Sequence, residues 1–215
     1  MKEKESLFSP RNLKSLTGPL SAGNPVIVLV LGICPTLAVT SQMKPAIVMA
    51  LSVMAVLSIG NVIISLLRNT IPPRIRIIVQ LTVVAALVIL VDQVLKAYVF
   101  EVSQKLSVFV GLIITNCIIM GRLEAFAMAN KPWASFLDGI GNSLGFGFIL
   151  IILSFFRELL GAGTVYGYPV FEKIGLYSTG YVDNGLMSKA PMALILVGIL
   201  IWIHRSFNKD LIESK

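Results

Sequence analysis

Six apolar stretches, separated by short polar or Gly/Pro-containing breaks, follow one another along the chain: residues 25–40, 46–67, 75–98, 106–120, 140–160 and 186–203. An α-helix rises about 1.5 Å per residue, so about 20 apolar residues cross the roughly 30 Å hydrocarbon core of a bilayer. The second, third and fifth stretches reach that length, and the sixth does so with its flanks. The first and fourth do not, at about 22–24 Å by the same rise. Gly32 and Pro35 interrupt the first. A span too short to reach both interfaces must satisfy its backbone ends with protein groups, which places it inside a helical bundle. The pattern predicts an all-α fold of six transmembrane helices, with the first and fourth short or broken.

Composition requires a lipid setting. Of 215 residues, 56% are hydrophobic and 13% charged, against about 25% charged in a soluble domain, and the mean hydropathy is +0.86. The net charge of +7 is not a nucleic-acid signal, because no basic run is interleaved with aromatic residues. It follows the positive-inside rule instead. With six spans, one side of the membrane carries twelve Lys and Arg residues and the other six, so both termini are expected in the cytoplasm and the long 161–188 loop outside. The polar beginning has no apolar segment followed by a small-residue cleavage site, so no cleaved signal peptide is expected. The expected organisation is a cytoplasmic segment (1–24), a six-helix membrane domain (25–206) and a cytoplasmic tail (207–215).

The two halves share a pattern. The second stretch ends in Ser65-Leu-Leu-Arg68 and the fifth in Ser154-Phe-Phe-Arg157. The chain's two cysteines, Cys34 and Cys117, lie on the first and fourth stretches. Each half (about 25–100 and 104–206) therefore reads as a short Cys-bearing span, a long span ending in Ser-x-x-Arg, and a third span. Three spans is an odd number, so the halves insert in opposite orientations, as an inverted repeat. Such a repeat brings Cys34 and Cys117 towards its axis from opposite sides. Two readings of them stand: soft thiolate ligands for an iron–sulfur cluster, zinc or copper(I), or small buried hydrophobes. A disulfide has little to motivate it. A cluster commonly takes four cysteines, so two imply that a second copy or a related chain supplies the rest.

Other polar residues have quieter alternatives. Asn61, Thr115, Asn116 and Asn142 line a hydrophilic path or make hydrogen bonds between helices. Asp92 and Lys96 pair at i,i+4 near an interface or supply a cation ligand. Arg122 and Glu124 bind something at the cytoplasmic face or form an interfacial pair. Gly141, Gly145 and Gly147 allow close helix packing, and His204 lies near the cytoplasmic interface. There is no phosphate-binding glycine loop after a strand, no Ser/His/Asp set and no pair of catalytic carboxylates.

Several segments resemble the family of membrane subunits shared by the Na⁺-translocating NADH:quinone reductase (Nqr) and the Rnf complexes. They are Leu31-Gly-Ile-Cys-Pro-Thr-Leu-Ala-Val-Thr40, Leu66-Leu-Arg-Asn69, Arg74-Ile-Arg-Ile-Ile-Val-Gln80, Val91-Asp-Gln-Val-Leu-Lys-Ala-Tyr98, Ile114-Thr-Asn-Cys-Ile-Ile-Met-Gly-Arg122 and Glu124-Ala-Phe-Ala-Met128. Asp92 to Lys96 and the short tail favour the Nqr version over the equivalent subunit of an Rnf ferredoxin:NAD oxidoreductase. The resemblance implies a bacterial inner-membrane protein, one of two paralogous six-helix chains of opposite orientation, the D-type and E-type subunits. It implies that Cys34 and Cys117 give this chain's half of an iron centre, described as a [2Fe–2S] cluster, shared with the E-type paralogue. Electrons are implied to arrive from the F-type subunit, which carries FAD and oxidises NADH. They leave to the covalently bound flavin of the C-type subunit, then to the flavins of the B-type subunit and quinone, with FMN and riboflavin implied among the flavins of these other subunits. The complex, which also includes an A-type subunit, exports Na⁺ as they pass. The flavin and quinone sites are implied to lie in those other subunits, so the chain is part of a translocase without being catalytic by itself. From the residues alone, a metal-free inverted-repeat transporter and a purely structural membrane subunit remain open.

Overall fold

The computed structural model describes residue 18 and residues 23–98, 110–169 and 185–207. The expectations for the termini, and for most of the 161–188 loop, fall outside the described residues.

The described chain is helical apart from one small hairpin. In order come α1 (Ile33–Val39), α2 (Met43–Leu67), α3 (Arg76–Tyr98), α4 (Val110–Ile114), α5 (Cys117–Arg122) running into a π-helical turn (Leu123–Ala127), and α6 (Pro132–Ala162). A two-residue antiparallel hairpin, β1 (Thr164–Val165) and β2 (Tyr168–Pro169), follows, and then α7 (Ala190–Phe207). Among the described residues, four helices (α2, α3, α6 and α7) are long and apolar enough to cross a membrane. They coincide with the second, third, fifth and sixth apolar stretches. The first and fourth stretches form short, broken helices. The Gly- and Tyr-rich loop after α6 begins with an ordered feature, the hairpin.

α6 begins eight residues before the apolar stretch that marks it. Pro132 occupies its first turn, where a missing N–H costs nothing and the fixed φ suits a helix. Ser135 and Asp138, polar residues of that turn and the next, are buried by neighbouring elements rather than exposed to solvent, as is Asn142 one turn further on. Hydropathy is blind to that kind of helix start. Gly163, with φ of +63°, ends the helix in a left-handed turn and donates its N–H to the Leu159 carbonyl.

α2 and α6 form the centre. More than half of the residues in their apolar windows are buried, against fewer than one in five for α3 and α7. Their contacts run antiparallel: the Met43 N–H reaches Glu158 Oε2 at 2.6 Å, Ala50 lies opposite Gly147, Ser58 opposite Gly139, and Asn61 Nδ2 donates to the Ser135 carbonyl at 2.9 Å. Small residues permit this approach, because packing rather than a hydrophobic driving force holds helices together in lipid. A Cβ on Gly139 would stand 2.9 Å from Ser58 Cα, and one on Gly147 3.1 Å from the Ala50 methyl. Met49, Val53, Leu57 and Ile64 of α2 meet Phe146, Leu150 and Leu153 of α6, with Ile118, Ile119 and Leu123 of the Cys117 segment beneath them. α3 and α7 bury a narrow stripe (Val84 and Val88; Ala193 and Val197) and leave Ile78, Leu90, Leu194 and Trp202 exposed, as a lipid-facing or subunit-facing surface requires.

Gly139 therefore sets the closest helix approach in the protein's centre. Gly139→Val is expected to destabilise the folded chain by about 1–3 kcal/mol, through a backbone clash that a rotamer change cannot relieve. Thermal unfolding in detergent checks this, with Gly111→Val as the control, since a Cβ at Gly111 meets nothing within 4 Å.

Candidate metal centre

The first cysteine is placed by a folded entry. Asn24 is buried; its Oδ1 accepts from the Val26 N–H (3.0 Å) and the Ile27 N–H (3.4 Å), while Nδ2 donates to the Gly145 carbonyl of α6 at 3.1 Å. The chain turns through 25–28 and then bends sharply, with positive φ at Val30 (56°) and Gly32 (77°). A β-branched residue rarely adopts that region, so Val30 marks a strained turn held by its surroundings. Glycine at position 32 answers two demands. Its φ favours a residue without Cβ, and a Cβ there would lie 2.5 Å from Ile118 Cδ1 and 3.2 Å from the Phe146 ring. α1 starts at once, with Cys34 and Pro35 in its first turn.

The second cysteine follows a different break with the same outcome. α4 stops at Ile114, where Thr115 Oγ1 folds back to donate to the Gly111 carbonyl at 3.1 Å. Asn116 is extended, and its side-chain oxygen accepts from the Ile118 N–H at 3.0 Å, capping α5. Cys117 is the first residue of α5. Asn116 is buried, and among the described residues its Nδ2 has no hydrogen-bond partner.

Both cysteines thus lie in the first turn of a short helix that follows a break in the chain. The breaks meet: Gly32 packs on Ile118, and Leu31 Cδ1 lies 3.5 Å from where a Gly121 Cβ would be. Both thiols are free and exposed. Neither is buried or disulfide-bonded within the described chain. Among the described residues no three His, Cys, Asp or Glu side chains come together as a metal-holding group. Two thiols are the soft type of donor that iron–sulfur, zinc and copper(I) centres use.

The other candidates divide. Arg122 and Glu124, expected to act at the surface or with each other, each pair elsewhere. Arg122 makes a two-pronged ion pair with Asp138 of α6, with Nε to Oδ2 at 2.9 Å, and its guanidinium lies 5.2 Å from the Phe126 ring centroid. Glu124 accepts from Arg76 (3.1 Å) and from Gln80 Nε2 (2.8 Å) on α3. These bonds fix the π-helical turn to both neighbours; such turns recur at functional sites. Asp92 and Lys96 pair within α3 at 2.6 Å as expected. Asn61 joins α2 to α6, Asn142 Nδ2 donates to the Asp138 carbonyl one turn back, and Thr115 bonds within its own segment. Only the Asn61 bond runs between helices as expected; the Asn142 and Thr115 bonds close on the turn before them. Gly145 is buried with its carbonyl engaged by Asn24, and Gly147 makes the close contact expected of it. His204 is half-buried in the last turn of α7. Sequence reasoning missed Asn24, Asp138 and Glu158. Glu158 accepts from the Met43 N–H, the Thr164 hydroxyl and the Gly167 N–H. A single polar residue beside or within an apolar stretch was the available signal for all three.

The chain is similar to known proteins over most of its length. The family described as "Rnf-Nqr subunit, membrane protein" matches residues 12–201. Relatives named as the D subunit of the Na(+)-translocating NADH-quinone reductase, from Shewanella sp. (strain ANA-3), Shewanella putrefaciens (strain CN-32 / ATCC BAA-453) and Shewanella baltica (strain OS155 / ATCC BAA-1091), are each 52% identical over 202 residues, covering 93% of this chain and 95% of the relative. With a match that takes in both cysteine-bearing breaks, three of the long helices and most of α7, the chain belongs to the Rnf-Nqr family of membrane subunits.

Proposed function

We propose that this chain is the D-type subunit of a Na⁺-translocating NADH-quinone reductase, and that Cys34 and Cys117 supply its half of an iron–sulfur centre within the membrane. The observation that carries the proposal is the pair of free, exposed thiols, each in the first turn of a short helix after a chain break, with the two breaks packed on one another. The identity to relatives bearing that name supports the assignment of the complex. The remaining ligands come from a paralogous partner, the E-type subunit in the family resemblance. The A-, B-, C- and F-type subunits complete the assembly.

A six-span architecture of two inverted three-helix repeats is part of the same reading. It is supported by the antiparallel contact of α2 with α6, by the position of a short Cys-bearing helix before each, and by the Ser-x-x-Arg ending shared by the two long helices. The Lys and Arg distribution favours cytoplasmic termini, and the family resemblance favours insertion in a bacterial inner membrane.

The residues of this chain have definite tasks. Gly32 and Asn116 shape the two breaks so that each thiol emerges at a helix start. Ile118, Phe146 and Leu150 wall the junction with apolar side chains and keep water from its inner side. The Arg122–Asp138 pair and the Glu124 bonds hold the Cys117 segment against α6 and α3. When bound, such a centre supplies one-electron transfer across the membrane interior. Holding the thiols on rigid, packed segments limits the reorganisation that accompanies a change of charge.

In the assembled complex, Cys34→Ala or Cys117→Ala is expected to abolish the iron and the visible absorption of this centre; iron analysis and optical spectra check this against the cluster of the NADH-oxidising subunit. Unchanged iron would rule out the ligand assignment. A second expectation follows from the ligand count. The isolated, monomeric chain should hold no stable cluster, whereas co-expression with the E-type paralogue should restore it. Full occupancy in the monomer would contradict the shared site, and solute uptake by the iron-free chain in liposomes would favour a transporter instead.

A further inference from the structure

The same two short helices have far ends as well as cysteine-bearing starts. A helix leaves its last four carbonyls without internal partners, and those carbonyls carry the negative end of its dipole. In lipid such groups must find donors within the protein. At the far end of α1 the donor is Arg157 of α6, only 1% exposed. Its Nη1 reaches Thr40 Oγ1 at 2.5 Å and the Leu37 carbonyl at 3.4 Å. Its Nε and Nη2 hold the carbonyls of Met187 (3.1 Å), Ser188 (3.0 Å) and Lys189 (3.3 Å), just before α7.

From Thr40 a ladder runs back along α1: Thr40 Oγ1 donates to the Thr36 carbonyl at 2.6 Å, and Thr36 Oγ1 to the Gly32 carbonyl at 2.7 Å. It ends at the turn that launches Cys34. At the end of the Cys117 segment the donors come from α2. Arg68 Nη1 and Ser65 Oγ both donate to the Asn130 carbonyl, at 2.8 and 2.6 Å. Asn130 returns its N–H (3.0 Å) and its side-chain Nδ2 (3.1 Å) to the Phe126 carbonyl at the end of the π-helical turn. Arg157 thus grips the end of the short helix in the other half of the chain directly, and Arg68 does so through Asn130, three residues past the π-helical turn.

We infer that Arg157 and Arg68 are positioning residues for Cys34 and Cys117 respectively. Each locks the far end of one short helix and so fixes where its thiol stands. The proposal rests on the ligand reading above, but its test does not depend on it. The two clamps act separately, one thiol each, because each arginine engages a different short helix. Thr40 is the selective probe on one side: its hydroxyl links Arg157 to the ladder, and Thr40→Val removes the link while Arg157 stays in place. Ser65→Ala weakens the other clamp in the same way.

The test uses the assembled complex in membranes, with iron removed from every sample by reductant and chelator. Alkylation of each thiol by N-ethylmaleimide is followed by mass spectrometry. Thr40→Val and Arg157→Lys are expected to speed alkylation of Cys34 about tenfold and to leave Cys117 within about twofold, the scale of losing one hydrogen bond to a charged group. Ser65→Ala and Arg68→Lys should do the reverse, and Thr40→Ser should restore the original rate. In iron-loaded complexes the same variants should alter the electron paramagnetic resonance spectrum of the centre, and Thr40→Ser should not. Equal acceleration at both thiols in every variant, or none in any, would overturn the assignment. If Cys34→Ala retains iron, the ligand reading fails alone, and the alkylation pattern still decides the clamps.

Discussion

Backbone groups in a bilayer cannot borrow hydrogen bonds from water, and the two short helices of this protein are where that constraint acts hardest. Each breaks inside the bundle and exposes N–H and C=O groups at both ends. The structure answers with side chains brought from elsewhere: Asn24 holds the turn that leads to α1, Asn116 caps the start of α5, Arg157 reaches the end of α1, and Arg68 and Ser65 hold Asn130 just past the π-helical turn. Those bonds employ several of the polar residues buried among the described residues. They also leave the thiols of Cys34 and Cys117 free.

The long helices make the arrangement rigid. α2 and α6 approach closely enough for Gly139 to touch the Ser58 backbone, and that contact sets the distance over which every bridging side chain must reach. Asn61 to the Ser135 carbonyl, Met43 to Glu158, and the two arginines all span the α2–α6 region or its ends. A buried guanidinium with its donors committed to carbonyls is costly to form and costly to disturb, so it specifies one arrangement rather than merely adding stability. Fixed geometry is what a site shared between two chains needs, because each partner must present its ligands already in place.

Much of this was legible in the sequence, for physical reasons. Apolar stretch length separated four spanning helices from two short ones because helix rise and bilayer thickness are fixed. The cysteines stood out because both fell on the short stretches, and Ser65-x-x-Arg68 matched Ser154-x-x-Arg157 as a pattern before either arginine had a partner. What was hidden depended on partners distant in sequence. Arg122 and Glu124 read as a local pair, but Asp138 and Gln80 outcompete that pairing in space. The start of α6 was invisible to hydropathy because Ser135, Asp138 and Asn142 are polar and buried. Gly32 read as an interruption, and only the fold shows that Ile118 occupies the space its side chain would need.

Iron K-edge X-ray absorption on this chain co-purified with only its E-type paralogue, away from the iron of the rest of the complex, addresses the central claim most directly. A shared thiolate-ligated cluster predicts an all-sulfur first coordination shell with a neighbouring iron, and a first shell that gains oxygen when Cys34 and Cys117 are both replaced by serine. A nitrogen- and oxygen-dominated shell in the unaltered pair, or one indifferent to the double replacement, would contradict it.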